Sequence, residues 1–202
     1  MTVPPRCEAA WRRTVPVIGW SRAPRGETMI GNGSTVVFQN AFIVNDIEEA
    51  ISRWVRTMGI GPFVVLENIS MANAFYRGQP TTMKLHAALA ASGDIQMELI
   101  QPLHDHPSVY RDFYPTGKEG FHHIGVLTDD VARDVEAYRK LGHDVIASGG
   151  NPDSTHIAYV DTWDASRCLV ELIHADDSYM QMTRMLQDAA RSWDGKTSTI
   201  TR

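Results

Sequence analysis

The stretch F-Q-N-A-F-I-V-N-D-I-E-E-A-I-S-R-W-V-R-T-M-G, residues 38–59, decides the fold, because its pattern returns in H-H-I-G-V-L-T-D-D-V-A-R-D-V-E-A-Y-R-K-L-G, residues 122–142. Each copy opens with an apolar, β-branched run that reads as a strand. Each then meets a capping pair, Asn45 and Asp46 in the first and Asp129 and Asp130 in the second, the residue types that satisfy the free N–H groups of a helix start. Apolar residues follow at spacings of three and four: Ile47, Ile51, Trp54, Val55 and Met58, then Val131, Val135, Tyr138 and Leu141. Gly59 and Gly142 stand where helices commonly stop. Aligning Asp46 with Asp130 gives an offset of 84 residues that also pairs Ile47 with Val131, Ile51 with Val135 and Trp54 with Tyr138. The chain is internally duplicated.

Working outward, three extended stretches follow the first helix, at residues 62–69, 82–90 and 95–101, with Gly93 and Asp94 as the turn between the last two. The second copy is followed by stretches near 144–147, 156–160 and 168–174. This predicts an α+β fold of tandem βαβββ modules, residues 35–102 and 120–175, that form a cupped mixed sheet. Residues 1–34 hold Pro4, Pro5, Pro16 and Pro24 without periodicity and read as a flexible arm, with Met29 as an alternative translation start. Residues 176–202 read as a helix and tail. The helix has an apolar face of Tyr179, Met182, Met185, Leu186, Ala189 and Trp193 that needs a surface, either its own domain or a second copy in a homodimer.

Composition narrows the function classes. The 202 residues are 43% hydrophobic and 21% charged, a mixture that fills a globular core. Nineteen Lys and Arg against 24 Asp and Glu give a net charge of −5, with no basic excess from which to argue a nucleic-acid partner. The longest apolar runs are strand-sized, short of the roughly 18 to 20 residues a membrane helix needs. Cys7 and Cys168 are too few for a disulfide framework or a thiolate zinc cage, which makes a reducing compartment, the cytoplasm, the expectation.

Metal-ligand residue types recur at matching places. Gln39 and His123, on the two first strands, are separated by the same 84 residues as the helices, and Glu98 in M-E-L-I-Q-P and Glu171 in V-E-L-I-H fall on the two last strands. A carboxylate flanked by apolar residues mid-strand is costly to bury without a purpose. Curved together, the modules bring Gln39, Glu98, His123 and Glu171 into one concavity, a set of three oxygens and one nitrogen that suits one divalent ion such as Co, Mn, Ni or Zn. His122 is expected on the opposite face of its strand from His123, because side chains alternate. His104 and His106 read as a solvated loop, and His156 and His174 as structural or surface residues.

The segments V-N-D-I-E-E-A-I, M-E-L-I-Q-P-L, G-F-H-H-I-G-V and C-L-V-E-L-I resemble the vicinal oxygen chelate superfamily, and within it the glyoxalase I and methylmalonyl-CoA epimerase branch. The likeness runs from about residue 36 to 175. It implies the glyoxalase/bleomycin resistance/dioxygenase fold and a metal held by Gln39 on the first strand, Glu98 on the fourth, His123 on the fifth and Glu171 on the eighth. It further implies a small-molecule substrate whose carbonyl the ion polarises while a carboxylate at the rim, Glu171 or Glu98, removes the neighbouring proton. The epimerase branch usually has His where Gln39 stands. It also carries a second catalytic Glu on the third strand of the first module, where this chain reads M-K-L-H-A-A-L and His86 is the nearest acid or base. Asn40, Tyr76, Arg77 and Lys84 are further candidates for meeting the substrate. The resemblance leaves open epimerase, isomerase or lyase chemistry, with ring-cleaving extradiol dioxygenases and metal-free ligand-binding proteins of the bleomycin-resistance type as alternatives.

Overall fold

The two first strands lie side by side at the centre of the molecule. In the computed structural model, which describes residues 36–150 and 156–200, β1 (Val37–Ile43) pairs antiparallel with β7 (Gly120–Thr128). Each also pairs in parallel with the last strand of its own module, β1 with β6 (Ile95–Pro102) and β7 with β10 (Leu169–His174). Beyond β6 come β5 (Lys84–Ser92) and β2 (Phe63–Ser70), and beyond β10 come β9 (His156–Val160) and β8 (Val145–Gly150). The predicted strands and α+β class are therefore present, with a pseudo-twofold relation through the β1–β7 pair. The predicted arm, with Cys7 and Met29, lies outside the described residues.

The two module helices form as their caps dictate. Asp46 accepts a hydrogen bond from the Glu49 amide at 2.9 Å to start α1 (Ile47–Met58), and Gly59, at φ 64°, ends it. Asp130 accepts from the Arg133 amide at 2.9 Å to start α2 (Val131–Lys140), with Gly142 at φ 87° beyond the end. Such left-handed stops favour glycine, which has no Cβ to clash. Ile47 and Ile51 pack with Ala88, Ala90 and Leu99 on the outer face of the first module, and Tyr138 packs with Val126, Val170 and Leu172 on that of the second. Met58 and Leu141, at the ends of the two predicted stripes, are exposed.

Elements absent from the sequence reading, together with the expected C-terminal helix, close the cup. After β2 the chain passes through Met71 directly into β3 (Ala72–Tyr76), which turns back as β4 (Gln79–Pro80). While β2 pairs with β5 at the edge of the first module, β3 pairs with β8 at the edge of the second, so one stretch ties both free edges. Asn68 and Asn73, both at positive φ, bend the chain where it leaves one edge for the other. At the other end, α4 (Asp177–Arg191), preceded by the short α3 (Trp163–Ser166), lays Leu186, Met182 and Met185 against Val64, Leu89 and Ala91, on the inner side of the first module. Its apolar face is thus taken up by its own chain. The chain then adds β11 (Thr199–Ile200) in parallel to β2. No helix among the described residues is long and apolar enough to cross a membrane.

Candidate metal centre

Alternation along the four central strands sets which side chains enter the cup. On β6 the inner face carries Gln96, Glu98 and Ile100, and on β10 Leu169, Glu171 and Ile173, while Leu99, Val170 and Leu172 go outward to the helices. On β1 the inner residues are Gln39, Ala41 and Ile43. On β7 the alternation breaks. Ala41 pairs with His123 and Phe42 with Phe121, leaving His122 as the extra residue of a β-bulge. Both imidazoles therefore lie inside, fully buried, and the expected placement of His122 on the opposite face is corrected.

The bulge sets the proton positions. His122 Nε2 lies 2.8 Å from the Val109 carbonyl oxygen, which can only accept, so that nitrogen carries the proton. Burial, and after it the neighbouring His123, push the His122 pKa down to about 3, which keeps this ring neutral and its Nδ1 bare. His123 Nδ1, 2.9 Å away, must then be the donor in that contact. What remains on His123 is Nε2, and it points at oxygens: Glu171 Oε2 at 3.0 Å, Gln39 Oε1 at 3.2 Å and Glu98 Oε2 at 3.6 Å. Gln39 is held with its oxygen inward because its Nε2 donates to Gln96 Oε1 at 2.6 Å. Space for it comes from Gly125, where an added Cβ would stand 2.7 Å from Gln39 Oε1.

The four residues predicted as ligands are thus brought together, and Glu98, His123 and Glu171 have ligand atoms all within 4.8 Å of one another. Ligands about 2.1 Å from an ion at cis or tetrahedral angles stand roughly 3.0–3.4 Å apart; Glu171 at 3.0 Å and Gln39 at 3.2 Å from His123 Nε2 match that spacing, and Glu98 at 3.6 Å is slightly wide of it. One imidazole nitrogen and three oxygens, two from carboxylates, repel one another unless a cation or a proton sits between them. Burial, with the charge of Glu171 behind it, holds the Glu98 pKa well above the usual carboxylate range. Tyr110, tilted against His122, and Tyr159, edge-on to His123, stay protonated for the same reasons.

Above the cluster opens a cavity of about 360 Å³ lined by β2, β5, β6 and β10 and roofed by Ser178, Tyr179 and Met182 of α4. His86 does not reach it. Ala87 and Leu89 of β5 face the cavity, whereas His86 lies on the alternate face and its Nδ1 accepts from the Asn68 amide at 3.1 Å. Asn40 and Lys84 likewise stand outside the lining; Tyr76 donates its hydroxyl hydrogen bond to Asp112, and Arg77 donates to that hydroxyl at 3.0 Å. His104 and His106 stack on each other away from the cup, and His174 lies at the outer groove beside α2. The sequence reading missed Gln96 and Tyr179. Gln96 sits two residues before Glu98, so strand alternation alone places it on the same face.

The family described as the glyoxalase/bleomycin resistance protein/dioxygenase superfamily matches residues 38–160. The chain belongs to this superfamily. The matched span holds Gln39, Glu98 and His123 and ends before Glu171, which the structure supplies from β10. Among solved structures, a hypothetical protein from Bacillus halodurans C-125 is similar over 71% of this chain and 96% of its own, at 16% identity and a TM-score of 0.53. A methylmalonyl-CoA epimerase in complex with methylmalonyl-CoA and NH4+ aligns over 71% of this chain and 96% of its own, at 20% identity and a TM-score of 0.48. The methylmalonyl-CoA epimerase from Mycobacterium tuberculosis aligns over 71% and 89%, at 16% identity and a TM-score of 0.48. The likeness to the Bacillus halodurans protein is one of fold. No curated protein matches the sequence.

Proposed function

We propose that this superfamily member is a metal-dependent enzyme that enolises a small carbonyl substrate, acting as an epimerase, isomerase or lyase. The observation that carries the reading is the convergence of Gln39 Oε1, Glu98 Oε2 and Glu171 Oε2 on the free nitrogen of His123 at the floor of a cavity. Gln39, Glu98, His123 and Glu171 would hold one divalent ion of the Co, Mn, Ni or Zn kind, whose Lewis acidity acidifies the C–H bond next to a coordinated carbonyl. The chain supplies the proton carriers. Glu98 and Glu171 come from equivalent strands of the two modules and flank the centre from opposite sides, so one takes the proton and the other returns it. Glu98 has the more accessible carboxylate, 16% exposed against 7% for Glu171, which favours it as the group that meets the substrate proton. Leu66, Ile69, Ile157 and Ile173 with Met182 of α4 give the exchanging proton a partly apolar surround.

Metal analysis of the purified protein, joined to α-proton exchange in deuterated water with acyl-CoA and α-hydroxyketone substrates, tests the reading. Bound metal and exchange are expected. Glu171→Gln and Glu98→Gln keep an oxygen ligand, so each should retain much of the metal while the one that is the base loses roughly 10²- to 10⁴-fold in exchange rate. A protein that binds no divalent ion would instead be a ligand-binding module. The dioxygenase alternative requires two imidazoles and one carboxylate around iron, and the cluster among the described residues contains a single histidine.

A further inference from the structure

Tyr179 belongs to neither module: it lies in the first turn of α4, beyond the residues 38–160 that the superfamily matches. Its backbone is fixed by the helix cap, where its amide donates to Asp176 Oδ1 at 2.8 Å, and its ring packs edge-on against Phe38 with centroids 5.9 Å apart. The hydroxyl donates to Gln96 Oε1 at 3.2 Å, and the same oxygen accepts from Gln39 Nε2 at 2.6 Å. Gln39 in turn shows its own oxygen to His123 Nε2 at 3.2 Å. One line of contacts therefore runs from the roof helix to the centre of the cluster.

A carboxamide has a donor end and an acceptor end, so this line can run with either of two polarities. In the observed one Gln39 offers an oxygen to the cluster. With both amides turned over, Gln96 would donate to Gln39 Oε1, and Gln39 would point an NH2 at Glu98 and Glu171, which accept it but leave no amide oxygen for a cation. Without an ion the two carboxylates favour that second polarity. Gln96 Nε2 is buried and has no partner among the described residues, so nothing at that end holds the amide in the observed sense. What holds it is the pair of donors on its oxygen, and of these Tyr179 is the one that does not belong to the amide pair itself.

We propose that Tyr179 is a positioning residue for the metal centre: by donating to Gln96 Oε1, its hydroxyl sets both amides so that Gln39 presents an oxygen, not an NH2, to the ion. The proposal rests on the metal reading above. It makes α4 a part of the site as well as its roof, because metal binding and docking of the first turn of α4 draw on the same line of contacts and favour each other.

Zinc affinity of the full chain, measured by chelator competition, tests it in a double-mutant cycle of Tyr179→Phe and Gln39→Glu. Phe keeps the ring and its packing on Phe38 and removes the donor. Loss of one hydrogen bond predicts about five-fold weaker zinc binding by Tyr179→Phe. Gln39→Glu removes the choice of polarity, since a carboxylate presents an oxygen whichever way it is turned. In that background Tyr179→Phe should change zinc affinity by no more than about two-fold. A loss of equal size in both backgrounds shows that Tyr179 acts through packing and overturns the proposal; so does unchanged affinity in Tyr179→Phe alone. A wild type that binds no zinc overturns the metal reading and this proposal with it, and is told apart because it appears before any variant is compared.

Discussion

His122 shows how much one residue of register decides. Simple alternation predicts that only His123 faces the cup, yet the bulge turns both rings inward, and His122 becomes the acceptor that fixes the tautomer of His123. Partners of this kind commonly contribute 10- to 100-fold in metal affinity. His123→Ala is therefore expected to abolish zinc binding, and His122→Phe, which fills the space but accepts nothing, to weaken it by about 10- to 100-fold in chelator competition. Wild-type affinity in His122→Phe would show that the Val109–His122–His123 chain of contacts is not needed. Gly125 makes the same point through space. Gly125→Ala puts a methyl 2.7 Å from Gln39 Oε1 and 2.8 Å from Gln39 Cβ, so Gln39 must shift, and zinc affinity should drop with the protein still folded. Retained affinity would mean that Gln39 is dispensable as a ligand.

At the scale of elements, the caps, helices and paired strands were legible because each announces itself locally. Asp46 and Asp130 both make the capping bond their position implies. Asp46→Ala and Asp130→Ala should each cost about 1 kcal/mol in urea unfolding. Neither should change zinc affinity, since α1 and α2 lie on the outer faces of the sheet; a variant that loses metal would show that the helices shape the site. The hairpin of β3 and β4 was hidden because its stability is not local. Asn73, Arg77 and Gly78 take positive φ, Pro80 ends the pairing, and only the non-local edge of β8 makes a strand of residues 72–76. For α4, the 3.6-residue stripe gave the helix and its apolar face but not that Tyr179 and Met182 would roof a cavity, which depends on where β5 turns its inner side. The four-residue cluster was legible through the 84-residue offset and the two mid-strand carboxylates, whereas His86 failed because its strand parity was not fixed by anything in its own segment.

For the whole molecule, the duplication means that the centre belongs to neither module: β1 and β6 bring Gln39 and Glu98, and β7 and β10 bring His123 and Glu171. The unfolded chain has no such site, so the proposed metal binding would be coupled to global folding. Zinc at about 100 times its dissociation constant should stabilise the fold by roughly 2.7 kcal/mol, several degrees in Tm for a chain of this size. The effect should depend on pH. Without metal, the Glu98 pKa is raised in the folded state, first by burial and then by Glu171. A raised folded pKa contributes stability that is present below the unfolded carboxylate value and is lost as pH rises through the folded one. The metal-free protein therefore sheds stability as Glu98 ionises beside Glu171, while the ion needs those same carboxylates ionised. The difference in Tm between zinc-loaded and chelator-treated protein should accordingly widen as pH is raised from mildly acidic to neutral, and Glu98→Gln should flatten the metal-free arm of that curve. A difference that is constant with pH would show that the two carboxylates do not share the charge of one ion.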